Sequence, residues 1–361
     1  MTLKMPSVIV DFKEKGITAI QRSQRGIVAL VLIEDSAELM SVTNIYTADD
    51  VPETLSEFNQ EQINLCLIGY QNTPRAVKAV VVPKSTEITA VQKYLESVRF
   101  DYVVIPEIGE NATEWATWIK GMRTVKDVRV KAVLPNCSMD TEGVVNFTNS
   151  VIKTAAKAYT AAEYCSRVAG IICGTPATIA CTYAPAPELI EVESNTAEER
   201  DERVGRGEFF FWNDGEKIKV ARGVNSFVTT VQGKGEDYQF IKLIDLMDMI
   251  HDDIVKTGHD SYIGKYANSY DNRMLLVSAI QGYIMQLEIE GLLEKGENTV
   301  EIDIERTKAW LLSNGKYTKD ELAEMSDLQV KKANIHTNVF IKADLSLLNA
   351  IENITVNANI A

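Results

Sequence analysis

The chain has 361 residues, 45% of them hydrophobic and 24% charged, with a formal net charge of -14. That length supports two or three domains with a sizeable core, and the acidic excess argues against a nucleic-acid backbone or an anionic membrane as partner. No stretch reaches the ~18 apolar residues of a membrane-spanning helix, and Met1–Pro6 lacks the apolar segment of a signal peptide. The cysteines Cys66, Cys137, Cys165, Cys173 and Cys181 form no CxxC pair and lie in apolar surroundings, the pattern of reduced core thiols in a protein made in the cytoplasm.

Near the start, Val8, Val10 and Phe12 share one face of a short predicted strand, Ser7–Phe12, and Ile17–Gln21 reads as a second. Gly26–Ile33 (GIVALVLI) is a continuous apolar run of strand length, the pattern of a strand covered on both faces. Ala48–Val51 with Pro52 turns into a helix through about Gln62, and Ile63–Ile68 and Ala76–Val82 read as two further buried strands. From Thr86 the pattern alternates: helix Thr86–Val98, strand Tyr102–Ile105, helix Thr113–Gly121, strands Val128–Leu134 and Val144–Phe147, and a long apolar helix over Ala155–Gly174. This predicts a middle α/β domain with a mostly parallel sheet.

Pro185–Thr196 is a Pro- and Glu-bearing connector and is taken as a domain boundary. Beyond it, Asn213-Asp214-Gly215 between Gly207–Trp212 and Glu216–Ala221 is a hairpin signal, followed by a strand through Asn225–Val231. Helices are predicted over Tyr238–Thr257 and Asp271–Glu294, a strand over Thr299–Ile304, and helices over Glu305–Ser313 and Thr318–Lys332. The chain closes on period-two alternation. Val339, Ile341, Ala343, Leu345 and Leu347 share one face, and after a break Ile354, Val356, Ala358 and Ile360 share another. A strand at a chain end asks for a partner sheet, in its own subunit or in a neighbour.

Chemistry is harder to find. Pro106-Glu107-Ile108-Gly109-Glu110 carries one glycine and two carboxylates, a poor phosphate cradle. Gly258–Lys265 (GHDSYIGK) is one residue too long for a phosphate-binding loop and has Tyr266 where a hydroxyl for magnesium belongs. His251, Asp252, Asp253, His259 and Asp260 form the one metal-like cluster, but the histidines do not share a helix face at HExxH spacing, and a solvated helix end accounts for them. Asp303 and Glu305, on one face of the predicted Thr299–Ile304 strand, read as a solvent-facing stripe before an acid–base pair. No GxSxG elbow is present, His336 has no cysteine near it in sequence, and the spacing of Cys165, Cys173 and Cys181 suggests core filling. No catalytic, cofactor or metal site follows, and the chain is not read as an enzyme.

Several long segments nevertheless carry a pattern of their own. RVAGIICGTP (Arg167–Pro176), GRGEFFFWNDGEKIKVARGVNSFVTT (Gly205–Thr230), LMDMIHDDIVKT (Leu246–Thr257), YIGKYANSYDNR (Tyr262–Arg273), VEIDIE (Val300–Glu305) and VFIKADLSLLNAIENI (Val339–Ile354) resemble the tail sheath proteins of contractile phage tails, in the branch of Gram-positive myophages, defective prophages and R-type bacteriocins. The resemblance covers more than half the chain, is weaker over Asp101–Phe147, and is only one of layout in the first hundred residues. It implies a structural subunit without a cofactor. Such a subunit polymerises with itself as stacked hexameric rings around a tail tube, meets baseplate and tail terminator proteins, and contracts to drive the tube through a target envelope. It binds no nucleic acid and inserts into no membrane directly. Assembly in the bacterial cytoplasm and release in a virion or tail-like particle are implied too.

In the family, arms at both chain ends add strands to a neighbour's sheet. Carried onto this sequence, the arms are Val8, Val10 and Phe12, and Ile354, Val356, Ala358 and Ile360. The receiving sheet includes Val339, Ile341, Ala343, Leu345 and Leu347, and Thr318–Lys332 is the helix expected at the tube. The implied layout is an N-terminal arm (1–22), a small α/β region (23–95), a middle α/β domain (96–190), an α+β C-terminal sheath domain (191–350) and a C-terminal arm (351–361). Two other readings stay open: an α/β enzyme with an unidentified site in the middle domain, and a self-assembling tube or shell protein that does not contract.

Overall fold

The computed structural model describes residues 19–22 and 25–359. Val8, Val10, Phe12 and Ile360 therefore lie outside the described residues. Ala19–Gln21, the described part of the expected second strand, carry no strand. The chain divides into two compact units, one built from Arg22–Asp252 with the chain from Leu347 on, the other from Asp253–Ser346 with residues 19–21.

The first unit runs β1 (Ile27–Glu34), β2 (Ser41–Ile45), α1 (Glu57–Leu67), β3 (Ala76–Pro83), α2 (Ile88–Leu95), β4 (Tyr102–Val104), α3 (Ala112–Thr124), β5 (Lys131–Pro135) and β6 (Val144–Phe147). It continues with β7 (Ile152–Thr154), α4 (Ala161–Cys173), β8 (Leu189–Val192), α5 (Ala197–Gly205), β9 (Glu208–Phe209), β10 (Phe211–Asn213) and β11 (Ile218–Val220). The division between units falls within α6 (Ile241–Thr257). Seven strands form one sheet in the order β2-β3-β1-β4-β5-β6-β9. Only the edge pair β2–β3 is antiparallel.

The apolar run in β1 explains the layering. Val28, Leu30 and Leu32 pack with Ile63, Cys66, Val168 and Ala169 of α1 and α4. Ile27, Ala29 and Val31 face the other way, into Val91 and Leu95 of α2 and Trp115 and Ile119 of α3. A strand apolar at every position from Ile27 to Ile33 is what two covered faces require. The two helices on the first side approach closely because α4 carries Gly170, where a Cβ would sit 2.2 Å from the Cys66 carbonyl oxygen.

Several expectations are corrected. Ile63–Ile68 is not a strand. Asn59, Gln62, Ile63 and Cys66 are buried at helical spacing, and Ser56 caps the helix N-terminus. A short apolar run does not by itself separate strand from helix. The apolar helix begins at Ala161, not near Ala155, because Thr160 and Glu163 form a capping box there, and Ile152–Thr154 pairs with β8 instead. Asn225–Val231 is no strand. The Asn225 side chain accepts from Phe227 N and donates to the Tyr238 carbonyl, and the Ser226 hydroxyl donates to the Thr141 carbonyl, so side chains hold this segment as a loop. The Asp-Gly hairpin is present as β10–β11. The stretch just before it, β9, pairs with β6, so the large sheet draws on chain on both sides of the boundary expected near 190.

An ionic network holds the start of α6 to this sheet. Asp248 accepts two hydrogen bonds from the Arg123 guanidinium, at 2.8 and 2.9 Å, and one from Lys131 Nζ at 2.6 Å. All three are buried. One turn earlier Asp245 takes Lys131 at 3.0 Å and the Tyr102 hydroxyl at 2.9 Å. One turn later Asp252 meets Arg25 at 2.9 Å, and Arg25 also holds Asp101 at 2.8 Å. Burial alone would raise the Asp248 carboxyl, but Lys131 and Arg123 prevail and hold it well below the usual carboxylate range.

The second unit contains the end of α6, a π-turn at Gly258–Tyr262, α7 (Tyr270–Ile289), β12 (Thr299–Ile302), α8 (Ile304–Ser313), α9 (Lys319–Glu324), α10 (Asp327–Lys332) and β13 (Ile341–Asp344). Leu311, Leu322, Ala333 and Ile335 form a small core under Trp310, Tyr317 and Phe340. Buried Arg273 of α7 donates to the Lys331 and Ala333 carbonyls, capping the end of α10. The Tyr283 hydroxyl donates to buried Asp253 at 2.7 Å. The helix expected over Thr318–Lys332 is two helices. Met325 is extended, and Ser326 with Gln329 starts the second through its own capping box.

Removing the Asp248 carboxylate leaves Arg123 and Lys131 buried without their counter-charge, so Asp248→Ala is expected to lower the stability of the first unit by about 3–5 kcal/mol. Because the folded-state pKa is depressed, this stabilisation is present above the ordinary value of about 4 and is lost as pH falls below it. Chemical denaturation of parent and variant at pH 7 and pH 3 checks both, and the gap between them should narrow in acid.

Candidate assembly interface

The expected receiving sheet is smaller than its alternation implied. Val339–Leu348 does not form one strand. Only Ile341–Asp344 does, pairing antiparallel with β12 in the register Thr299↔Asp344, Val300↔Ala343, Glu301↔Lys342 and Ile302↔Ile341. Val339 and Leu345 flank it, and Leu347 belongs to the other compact unit. Val300 and Ile302 turn buried faces inward and β12 packs on α7, whereas β13 leaves Lys342, Ala343 and Asp344 exposed.

Both ends of the ladder are tied. Asp303 N donates to the Phe340 carbonyl at 2.9 Å at one end. At the other, Asn298 accepts from Ser346 N at 2.8 Å and donates to Glu288 and to the Glu294 carbonyl. Among the described residues no third strand pairs with this sheet. Two strands alone are marginal in water, and open edges carry unpaired backbone donors and acceptors.

The predicted C-terminal arm has no strand among its described residues. Residues 353–359 are exposed and form no helix or strand, with Ile354 and Val356 each 79% exposed. Ile354, Val356 and Ala358 thus expose apolar side chains at alternate positions.

The other singled-out groups are engaged locally. His251 sits between Asp252 at 2.9 Å and Asp127 at 3.0 Å, and the Asp252 hydrogen bond, opposed by partial burial, raises its pKa. Asp253 lies in the other unit, and His259 and Asp260 fall in the π-turn. Among the described residues no three His, Cys, Asp or Glu side chains converge as metal ligands. Asp303 and Glu305 do not share a strand face: Asp303 caps α8, accepting from Arg306 N at 2.8 Å, and Glu305 lies in its first turn. Cys165 and Cys181 are buried, and burial pushes the Cys181 thiol up to about 12, away from the reactive thiolate. His336 packs its ring against Trp310. A cleft at the end of the large sheet is lined by Arg25, Asp101, Tyr102, Lys242 and Asp245, each committed to a hydrogen bond or ion pair within the unit.

The sequence reading missed the Asp245, Asp248, Asp252 stripe. Its signal was three carboxylates at helical spacing among the apolar residues of the helix, but their cationic partners lie more than a hundred residues away in sequence.

Two family models cover most of the chain: the phage tail sheath protein central domain over residues 82–226 and the phage tail sheath C-terminal domain over residues 233–361. The chain belongs to the phage tail sheath family. It is 35% identical to the tail sheath protein of Clostridium phage phiCD119 over 97% of this chain and 98% of that one. Its fold matches the sheath tail protein of Desulfitobacterium hafniense, with a TM-score of 0.66 at 17% identity over 82% of this chain and 94% of that one. It also matches the helical sheath of the anti-feeding prophage in its contracted state, with a TM-score of 0.68 at 14% identity over 99% of both chains.

Two measurements test this sheath chain locally. Asn298→Ala removes the hydrogen bonds that a buried side chain makes at one end of the β12–β13 ladder, so the second unit should lose about 1–3 kcal/mol, read by denaturation of the unassembled protein. Because the His251 pKa is raised on folding, its contribution is complete below about 6.5 and lost as pH rises through the folded value. Between pH 6 and pH 8 the parent should therefore lose up to about 1 kcal/mol relative to His251→Gln.

Proposed function

We propose that this protein is the structural subunit of a contractile tail sheath. It polymerises as stacked hexameric rings around a tail tube, between baseplate and terminator proteins, and contracts to drive the tube through a target cell envelope. The observation that carries the reading is the near full-length likeness to a phage tail sheath protein. The open two-stranded sheet and the unpaired C-terminal segment support it.

The linkage is strand donation. Ile354–Ile360 adds to the β12–β13 sheet of a neighbouring subunit, and Ser7–Phe12, with Val8, Val10 and Phe12 on one face, supplies the arm at the other end. Backbone ladder bonds do not depend on the side chains of the moving domain faces, so rings stay joined while those faces repack. Each bond is worth only about 1 kcal/mol net, but an arm in every subunit multiplies the effect along a lattice. The energy released on contraction resides in the competing packings of neighbouring subunits, so no nucleotide is required. Assembly takes place in the bacterial cytoplasm, before release in a virion or tail-like particle. The short helices of Thr318–Lys332 are the tube-facing element.

Deleting residues 353–361 is expected to leave a folded subunit that builds no sheath in electron micrographs. Val356→Pro removes one backbone donor and should cut assembly at least about tenfold while leaving subunit stability unchanged. Normal sheaths from the deleted protein would contradict the arm assignment.

A further inference from the structure

Within the exposed tail one side chain is buried. Glu352 is 8% exposed, while Ile351 before it is 87% exposed and Ile354 after it 79%. Its carboxylate accepts from Thr182 Oγ1 at 2.6 Å through one oxygen and from Arg222 Nε at 2.7 Å through the other. All three residues lie in the first compact unit, although the tail follows directly on the second.

The socket is built for this acceptor. The Thr182 hydroxyl, already accepting from Gly223 N at 2.9 Å, has its one proton free for a carboxylate. Gly223 permits the close approach, since a Cβ there would stand 2.9 Å from Cys181 Sγ and 3.4 Å from Thr182 Oγ1. The Arg222 guanidinium lies over the Phe240 ring at 5.2 Å, which limits its freedom. One helical turn's worth of chain earlier, buried Lys242 donates to the Leu348 carbonyl. The tail is thus held at Leu348 and Glu352 and exposed over residues 353–359.

We infer that Glu352 is a positioning residue for strand donation, the anchor that fixes where the C-terminal arm leaves its own subunit. The inference rests on the reading of Ile354–Ile360 as a donated strand. Residues 353–361 reach about 30 Å when extended, so a fixed origin limits which neighbouring edges the arm can meet. Freeing that origin lengthens the flexible segment and dilutes the arm at its target. Pull on the arm enters the first unit through the Thr182–Arg222 socket, and the segment between β13 and Glu352 carries little of it.

The test uses a nitroxide at Asn353→Cys in the full, unassembled chain, labelled at a residue far more exposed than the native cysteines, four of which are buried. With Glu352 present the label should move slowly. Glu352→Ala should shorten its correlation time several-fold, Arg222→Glu should do the same, and the swap Glu352→Arg with Arg222→Glu should restore most of the slow motion. Equal mobility in parent and Glu352→Ala overturns the anchor. In assembly assays Glu352→Ala should reduce sheath yield about tenfold with an unchanged melting temperature, and the swap should recover it; full yield from a demonstrably unanchored tail overturns the positioning role. The deletion of residues 353–361, run in parallel, separates the two ideas: if it too assembles normally, strand donation itself has failed.

Discussion

The first unit depends on the Asp248 carboxylate. Arg123 at the end of α3, Lys131 at the start of β5 and Asp248 on α6 are brought together from separate parts of the chain, and none tolerates burial without the others. The carboxylate fixes the rotation of α6: with Asp248 inward, Asp245 meets Tyr102 and Lys131, and Asp252 meets Arg25. A buried ion cluster is a weak source of net stability but an effective device for choosing one packing among several.

How legible the fold was depended on whether a segment's environment is uniform along its length. β1 is apolar from Ile27 to Ile33 because helices cover both faces, and its pattern said so directly. Ile63–Ile68 is apolar except at Asn64 but helical, and the helix shows only when Asn59 and Gln62 are counted with it; both are polar and buried, so hydrophobicity alone hid them. Asn225–Val231 has strand-like residues, but Asn225 and Ser226 spend their side chains on backbone groups and hold a loop. The break at Met325–Ser326 was readable in principle, since Ser326 and Gln329 spell a capping box.

The terminal region was legible in a different way. Period-two alternation does mark chain built for a sheet, but alternation is blind to whose sheet. Ile341–Asp344 finds β12 in its own unit, while Ile354, Val356 and Ala358 find no ladder among the described residues, so the same pattern yields a strand in one place and an exposed segment without a strand in the other. Alternation does not reveal Glu352: between Ile351 and Asn353 it looks like a polar interruption, and its partners Thr182 and Arg222 lie far away in sequence. What joins these observations is division of labour. One unit is an α/β body with an ion cluster buried in it, the other holds a small two-stranded sheet, and the tail is tied to the α/β body at Glu352.

The central claim is that the tail completes a sheet in another copy of the chain. A cryo-electron microscopy map of the polymerised protein, at a resolution that traces the backbone, tests it most directly. The account predicts density for residues 354–360 running along the edge of the β12–β13 sheet of a neighbouring subunit, with Glu352 still in its own Arg222–Thr182 socket. A β12–β13 sheet that remains two-stranded in the lattice, with residues 354–360 elsewhere, would contradict it.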